Sequence, residues 1–250
     1  MRNVIAGNWK MHKTVPEAVR FVRELLSHSR SFPADVEVIV APPFTALEAV
    51  GRSLRGQNRI TLAAQTMHWQ DTGAYTGEIS PAMLVDAGTR YVILGHSERR
   101  EMFGETDGYV RLKTVAALAH GLGPIVAVGE TLEEHKAGRT IDKVVGQTRS
   151  ALQGLTPQEV RRCIVAYEPI WAIGSGMGDD PENANSVMRS IRGSVEGLEN
   201  VPLLYGGSVR PDNMAALAAQ SDINGALVGG ASLSTDSFAA IIRATQNVAA

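Results

Sequence analysis

Short, continuously apolar runs recur along the chain, separated by longer segments in which polar and apolar residues mix. Strands buried on both faces of a parallel sheet read as continuous hydrophobic runs, whereas a strand with one exposed face alternates. We therefore predict that these runs are buried parallel strands. They lie at residues 4–7, 36–41, 60–64, 91–94, 125–128, 163–167, 203–205 and 226–228.

The mixed segments between the runs carry signals that begin helices. A hydroxyl residue with a glutamate three positions later forms a capping box, and this pattern predicts helix starts at Thr14, Thr45 and Thr131. A capping residue directly before proline predicts two more starts, at Ser80 and Asp180. Helices are thus expected to alternate with the strands.

Eight strands that alternate with helices predict a closed parallel barrel, the (β/α)8 or TIM-barrel architecture of the α/β class. Gly88 and Gly121 lie where helices of this repeat are expected to end. The alternative is an open doubly wound sheet, which usually has fewer strands and a Gly-x-Gly-x-x-Gly turn after the first. Here the first run ends in Gly7-Asn8-Trp9-Lys10, which is not such a turn. We predict one domain over residues 1–250.

Composition and charge narrow the functional classes. The chain has 250 residues, 44% hydrophobic and 20% charged, which suits one soluble barrel. A formal net charge of −2 argues against nucleic acid or an anionic membrane as the main partner. The one cysteine, Cys163, excludes an intramolecular disulfide. We found no signal peptide and no apolar run long enough to span a membrane, so we expect a cytoplasmic location.

Polar residues are concentrated where the predicted strands end. Asn8 and Lys10 follow the first strand, His96 follows the fourth and Glu168 follows the sixth. The carboxyl ends of barrel strands build the active site, so we expect these side chains to meet at one mouth. A carboxylate base, an imidazole and a cation are what enolisation of a carbonyl compound requires, because the developing oxygen charge must be stabilised.

Glycine-rich turns follow the last two predicted strands, at Gly206-Gly207-Ser208 and Gly229-Gly230. Glycines let backbone N–H groups close on an anion, and barrels commonly hold phosphate at this position. The sequence therefore predicts a small phosphorylated carbonyl compound as the substrate. The remaining histidines show no spacing typical of a metal site.

A series of motifs resembles the triosephosphate isomerase family, an enzyme of glycolysis and gluconeogenesis. The resemblance runs from near residue 3 to about residue 233. The motifs are Asn8-Trp9-Lys10-Met11, Ala64-Gln65 with residues 73–78, Leu94-Gly95-His96-Ser97-Glu98-Arg99-Arg100, residues 128–131, residues 166–174, residues 205–209 and residues 227–232.

The resemblance implies roles for individual residues in converting dihydroxyacetone phosphate into D-glyceraldehyde 3-phosphate. Glu168 would move the proton, and a neutral His96 would polarise the carbonyl. Lys10 and Asn8 would stabilise the developing charge, and Glu98 would support Lys10. The resemblance implies that no metal or organic cofactor takes part. Backbone N–H groups would hold the phosphate at Gly174, Ser208, Gly229 and Gly230.

The resemblance also implies a homodimer and a closing loop. The loop from Gln65 to Glu78 would reach into the partner's site, with Thr76 at its tip, and residues 173–176 would form the tip of a lid. The chain departs from the family pattern at Met177-Gly178-Asp179-Asp180, where Asp180 fits a helix N-cap and Asp179 has no evident purpose. Smaller departures are Ala127 and Asn224.

Three alternative functions stay open from sequence. A related isomerase could act on a four-carbon ketose phosphate such as erythrulose phosphate with the same residues. A lyase could form a Schiff base at Lys10, and a barrel without activity could serve as a binding scaffold. Other residues are predicted to be structural: Arg99 and Glu105 as an ion pair, Trp9 as packing and Cys163 as a buried strand residue.

Overall fold

Eight parallel strands close into a barrel in the computed structural model, which describes residues 1–173 and 179–245. Each strand pairs with the next, and β1 pairs with β8 to complete the ring. The (β/α)8 prediction is confirmed, and every predicted strand agrees with its observed bounds to within two residues. The strands are β1 Asn3–Asn8, β2 Val36–Ala41, β3 Ile60–Ala64, β4 Tyr91–Leu94, β5 Gly123–Val128, β6 Ile164–Tyr167, β7 Leu203–Tyr205 and β8 Gly225–Val228.

Helices connect the strands and pack on the outside of the ring. Short 3-10 turns supplement them, among them one at Gly230–Leu233 after β8. The helices are α1 Val15–His28, α2 Phe44–Ser53, α3 Pro81–Asp86, α4 Ser97–Phe103, α5 Asp107–Ala119, α6 Leu132–Lys136, α7 Thr140–Leu152, α8 Pro157–Val160, α9 Pro181–Arg192, α10 Met214–Ala218 and α11 Thr235–Ala244. No helix in the described ranges is long and apolar enough to cross a membrane.

Four of the five predicted helix starts are confirmed. Thr14 and Thr131 form capping boxes, and the side chains of Ser80 and Asp180 accept hydrogen bonds from backbone N–H groups of the first turn. The prediction at Thr45 is wrong. Pro43 takes an extended conformation and is the N-cap of α2, so Thr45 already lies inside the first turn.

Two further details of the helices and the core agree with the sequence. Gly88 and Gly121 follow helix C-caps with φ of +83° and +79°, the left-handed conformation that glycine adopts without strain. Trp9 is fully buried and packs edge-on against Phe21, with ring centroids 4.8 Å apart. Its predicted packing role is confirmed.

Side chains alternate between the inside and the outside of the ring. Val4 and Ala6 of β1 point into the barrel interior with Ile164 and Ala166 of β6, whereas Ile5 packs outward against the helices. Branched and small residues thus fill the barrel, as in a packed core rather than a pore. The polar side chains at the strand ends lie together at the carboxyl-terminal mouth of the barrel.

The residues predicted to be structural have contacts and burial that fit such a role. Arg99 Nε lies 2.7 Å from Glu105 Oε2, which confirms the ion pair. Cys163 is buried, and burial raises the pKa of its thiol to about 12, so the thiolate is not available for chemistry. Asn224 accepts hydrogen bonds from the Leu203 backbone and from Arg192, which ties β7 to α9.

Candidate active site

A cavity of about 520 Å³ opens at the carboxyl ends of the strands. It brings together most of the residues that the sequence singles out for catalysis and substrate binding: Asn8, Lys10, His96, Glu168, Ser208, Gly229 and Gly230. Gly174, also predicted to hold phosphate, lies outside the described residues, as do Met177 and Gly178. Among the described residues, no three His, Cys, Asp or Glu side chains are grouped so that they could hold a metal ion.

Glu168 follows β6 directly, and only 2% of its surface is exposed. Its Oε1 lies 3.1 Å from His96 Nε2, and its Oε2 accepts a hydrogen bond of 3.0 Å from the backbone N–H of Ser97. Ser97 begins α4, so the carboxylate lies at the positive end of a helix. Both oxygens of this buried carboxylate therefore have a polar partner at the start of α4.

The tautomer of His96 follows from its hydrogen bonds. His96 is the N-cap of α4, and its Nδ1 accepts a hydrogen bond of 3.2 Å from the backbone N–H of Glu98. An imidazole nitrogen that accepts carries no proton, so the proton of the neutral ring is on Nε2. That N–H points to Glu168 and to the cavity, where it can donate to a substrate oxygen.

Lys10 is held in an uncommon backbone conformation, with φ of +50°. Asn8 Oδ1 accepts from the Lys10 N–H at 3.1 Å, and Gln65 Nε2 donates to the Lys10 carbonyl at 2.8 Å. The Lys10 ammonium donates to Glu98 Oε1 at 2.6 Å. Left-handed conformations of residues other than glycine persist only where their surroundings impose them, and they are concentrated at functional sites.

Gln65 has a function within its own chain that the sequence did not indicate. It was predicted only as the start of the loop that reaches the partner. In the structure its amide also bridges Lys10 and the Ala41 carbonyl, at 2.9 Å from the latter, and so joins β1, β2 and β3 at the mouth. Glu98, the residue predicted to support Lys10, lies with its Oε1 2.6 Å from Lys10 Nζ.

The two glycine-rich turns line the same cavity as Lys10. A Cβ on Gly229 would lie 3.6 Å from Lys10 Cε, so this turn approaches the lysine closely. The turn after β7 is fastened by Asn213, which donates to the Ser208 carbonyl at 2.9 Å and accepts from the Arg210 N–H at 2.8 Å. Asn213 was not predicted, although its position directly before α10 is one that asparagine favours.

A buried polar cluster lies behind Glu168. Glu130, whose side chain has no exposed surface, accepts from Trp171 Nε1 at 2.8 Å and from the Tyr167 hydroxyl at 3.1 Å. Burial raises the pKa of Glu130, and the hydrogen bonds from Trp171 and Tyr167 oppose that shift. The Tyr205 hydroxyl accepts from the Asp179 N–H at 3.1 Å. Sequence motifs contained these residues but assigned them no role.

Thr76, the predicted tip of the inter-subunit loop, is exposed. A smaller cavity of about 220 Å³ adjoins the main one, and Gln65 and Glu98 line it together with Met11, Phe44 and Phe103. Thr76 lines neither of these two cavities of its own chain. Among the residues that line the second cavity, Met11, Phe44 and Phe103 are exposed apolar residues.

Comparison with known proteins agrees with this geometry. The family model described as triosephosphate isomerase matches residues 3–245. A triosephosphate isomerase of Symbiobacterium thermophilum is 52% identical over 247 residues, which cover 96% of each chain. One from Caldanaerobacter subterraneus subsp. tengcongensis is 50% identical over 247 residues, covering 96% of this chain and 98% of the relative. The chain belongs to the triosephosphate isomerase family.

Proposed function

We propose that this member of the family interconverts dihydroxyacetone phosphate and D-glyceraldehyde 3-phosphate through an enediolate, with Glu168 as the base. One observation carries the assignment of roles. The Glu168 carboxylate lies 3.1 Å from the proton-bearing Nε2 of His96, in a cavity that Lys10 and two glycine-rich turns also line, one turn against Glu168 and the other against Lys10. A base, an electrophile and an anion-binding wall thus surround a space suited to a triose phosphate.

The substrate phosphate binds to backbone N–H groups of Ser208, Gly229 and Gly230, and to Gly174 in the part of the chain outside the described residues. Glu168 removes a proton from the carbon next to the carbonyl, and the electron pair moves to the carbonyl oxygen. The His96 Nε2–H and the Lys10 ammonium stabilise that oxygen, and Asn8 donates a hydrogen bond to it. The hydroxyl proton on the first carbon moves through His96 Nε2 to the former carbonyl oxygen, and Glu168 returns its own proton to the neighbouring carbon.

Glu168 must rearrange before it acts. Both of its carboxylate oxygens are engaged, one with His96 and one with the Ser97 N–H. A substrate carbonyl competes for the His96 N–H and so releases one oxygen toward the substrate carbon. The reaction moves protons only, which requires no redox group and no organic cofactor.

A Schiff base at Lys10 is disfavoured by its surroundings. Attack on a carbonyl requires a neutral amine with a free lone pair. The Lys10 side chain donates to Glu98 Oε1 at 2.6 Å, so its nitrogen is already engaged in an ion pair. Borohydride added with substrate is expected to leave no covalent adduct on Lys10.

The decisive experiment is a coupled isomerase assay on the wild type and Glu168→Gln. We expect Glu168→Gln to lower kcat by a factor of about 10³, within the range that a general base contributes. Glu196→Gln, a carboxylate far from the cavity, is the matched control and is expected to retain wild-type kcat. Wild-type turnover in Glu168→Gln would refute the assigned base, and equal inactivity of all three proteins would favour a binding scaffold.

The same assay resolves the substrate class. We expect kcat/KM to be higher for dihydroxyacetone phosphate than for erythrulose phosphate. A preference for the tetrulose would replace the triose in the proposal while leaving the role of Glu168 intact.

The exposed apolar residues around the second cavity support a homodimer. Met11 is 94% exposed and Phe103 68% exposed, at the rim next to Gln65 and Glu98. Exposed apolar patches of this kind mark interaction surfaces. We propose that a second copy covers this face and inserts its loop around Thr76 beside Lys10.

We also propose a cytoplasmic location, because the free thiol of Cys163 suits a reducing compartment.

A further inference from the structure

The cluster behind the base contains an imidazole that the proposed reaction does not use. His135 of α6 stacks on Trp171, with ring centroids 4.5 Å apart and ring planes inclined by 29°. Its Nδ1 lies 3.6 Å from Glu130 Oε1, the oxygen that accepts from Trp171 Nε1. His135 therefore covers the indole and also faces the carboxylate that holds the indole.

Glu168 is joined to this cluster through a short length of backbone. Trp171 follows Glu168 after Pro169 and Ile170. The Glu168 N–H donates to the Val128 carbonyl at 2.7 Å, and the Ile170 N–H donates to the Glu130 carbonyl at 3.2 Å. Together with the Trp171–Glu130 bond, these contacts hold the segment that carries the base along its length. The attachment of Trp171 thus lies three residues along the chain from the base.

Asp179 attaches a second point of the chain to the same cluster. Its N–H donates to the Tyr205 hydroxyl at 3.1 Å, and its carboxylate accepts from Asn183 Nδ2 at 2.8 Å. Burial raises the pKa of Asp179, while the hydrogen bond from Asn183 and the charge of His135 oppose the shift. His135 likewise opposes the raised pKa of Glu130. The imidazole thus acts on two carboxylates that burial disfavours.

The charge of the cluster depends on His135. The titratable groups around it come from the loop after β5, from β6 and β7, and from the segment before α9: Glu130, Tyr167, Tyr205 and Asp179. On α6 itself, Glu134 is paired with Lys143 of α7 at 3.0 Å. Histidine is the side chain whose charge ordinarily changes between pH 5 and 8. A protonated ring compensates the carboxylates, and a neutral ring does not.

We propose that His135 is a positioning residue, and that its protonation tightens the attachment of Trp171 and Asp179 to the Glu130 cluster and thereby aligns Glu168. The inference rests on the proposed role of Glu168 as the base. Below neutral pH, the wild-type enzyme is then expected to be more active than a variant that lacks the imidazole. It also gives Asp179, which departs from the family pattern, a place in the enzyme.

The pH dependence of kcat tests the proposal. His135→Phe keeps a ring on Trp171 without charge, and His135→Arg keeps a permanent cation. We expect the kcat of His135→Phe to be about threefold below wild type at pH 6 and equal to it at pH 8.5, a fold-change typical of a partly exposed ion pair. His135→Arg is expected to equal the wild type at pH 6 and to exceed it about threefold at pH 8.5.

Ratios to wild type at each pH remove the titration of the substrate phosphate, which falls in the same range and is common to all variants. KM is expected to change less than kcat, because the contacts of the His135 ring do not involve Ser208, Gly229 or Gly230. His120→Phe is the matched control, since His120 also pairs with a carboxylate, Asp71, at 3.1 Å. Its ratio is expected to be constant. Constant ratios for the His135 variants as well would overturn the proposal.

A measurement without substrate separates this inference from the proposed function. Trp69 stacks on His68, so Trp69→Phe is used as the background to remove a second pH-sensitive indole. With Trp9 present in every variant as a constant contribution, we expect the fluorescence between pH 5.5 and 8 to show a pH-dependent change that His135→Phe abolishes. The same transition in all variants would show that His135 does not act on Trp171, whatever the isomerase activity.

Discussion

Glu168 is surrounded at close range by groups that leave little room for change. A Cβ on Gly206 would lie 2.8 Å from Glu168 Cγ, and a Cβ on Gly129 would overlap the Glu168 carbonyl oxygen. The base is therefore positioned by the absence of side chains as much as by the hydrogen bonds to its oxygens. Small displacements of a reacting group from its productive position are costly in rate.

Gly206→Ala is predicted to move Glu168 without removing it. The new methyl must displace the Glu168 side chain, so we expect kcat to fall about tenfold to a hundredfold, with a smaller change in KM. Steady-state kinetics on the triose phosphates measure this. Gly146→Ala is the control, because a Cβ on Gly146 of α7 has no heavy atom within 4 Å. Wild-type kcat in Gly206→Ala would show that the base tolerates displacement.

The identity of the chemical groups could be predicted from the sequence, but many of their partners could not. Asn8, Lys10, His96 and Glu168 follow buried strands, and the strand pattern alone places them at one mouth. The brace from Gln65 to Lys10 joins residues 55 positions apart. No local pattern reports such a contact, because it depends on the register between neighbouring strands.

At the scale of the elements, the junction of β4 with α4 does most to organise the site. Because α4 begins at Ser97, its first free N–H groups point to Glu168 and to His96 Nδ1. The helix thus fixes the orientation of the base and the tautomer of the imidazole together. Strand and helix boundaries of this kind were predictable to within two residues. At α2 the N-cap is Pro43, two residues before the predicted Thr45, because the extended Pro43 precedes the first turn.

The packing of α9 on the barrel is predicted to be sensitive to acid. Asp222, in the segment before β8, accepts from Arg192 Nε at 2.9 Å and from Arg189 Nε at 3.1 Å, both on α9. Burial tends to raise the pKa of Asp222, but the hydrogen bonds from Arg192 and Arg189 outweigh it and the pKa is lowered. A carboxyl with a lowered pKa stabilises the fold above its unfolded-state pKa, and that contribution is lost as pH falls through the folded-state value.

Asp222→Asn is therefore expected to reduce the free energy of unfolding at pH 7 by about 1–3 kcal/mol, the range for hydrogen bonds to charged groups. The difference from wild type is expected to shrink as pH falls below about 4, where the wild-type carboxyl is protonated as well. Urea unfolding at pH 7 and pH 3.5 measures both values. A difference that stays constant or grows toward acid would contradict the assigned ion pairs.

At the scale of the whole molecule, the exposed apolar face next to the second cavity is unusual for a chain whose core is otherwise enclosed. Met102 is 71% exposed and Phe103 68% exposed at the end of α4, and Met11 is 94% exposed after β1. Met11 and Phe103 line the second cavity together with the Lys10–Glu98 ion pair, and Met102 directly precedes Phe103 on α4. An apolar cover over this face would exclude water from the cationic side of the active site.

Met102→Glu is predicted to separate the proposed dimer and to lower activity as a consequence. A two-fold interface repeats every substitution, so two carboxylates would have to be buried together, at a cost of several kcal/mol each. We expect sedimentation velocity to give twice the chain mass of 26.7 kDa for the wild type and a single chain mass for the variant. Ile141→Glu, at an apolar position of α7 that is 40% exposed, is expected to stay dimeric.

The kcat of the monomeric Met102→Glu is expected to fall at least about tenfold. The monomer leaves the Lys10 side of the cavity open to water, and exclusion of water strengthens every charge interaction in the site. A monomeric Met102→Glu with full activity would show that the active site is complete within one chain, and a monomeric wild type would remove the dimer from the proposal altogether.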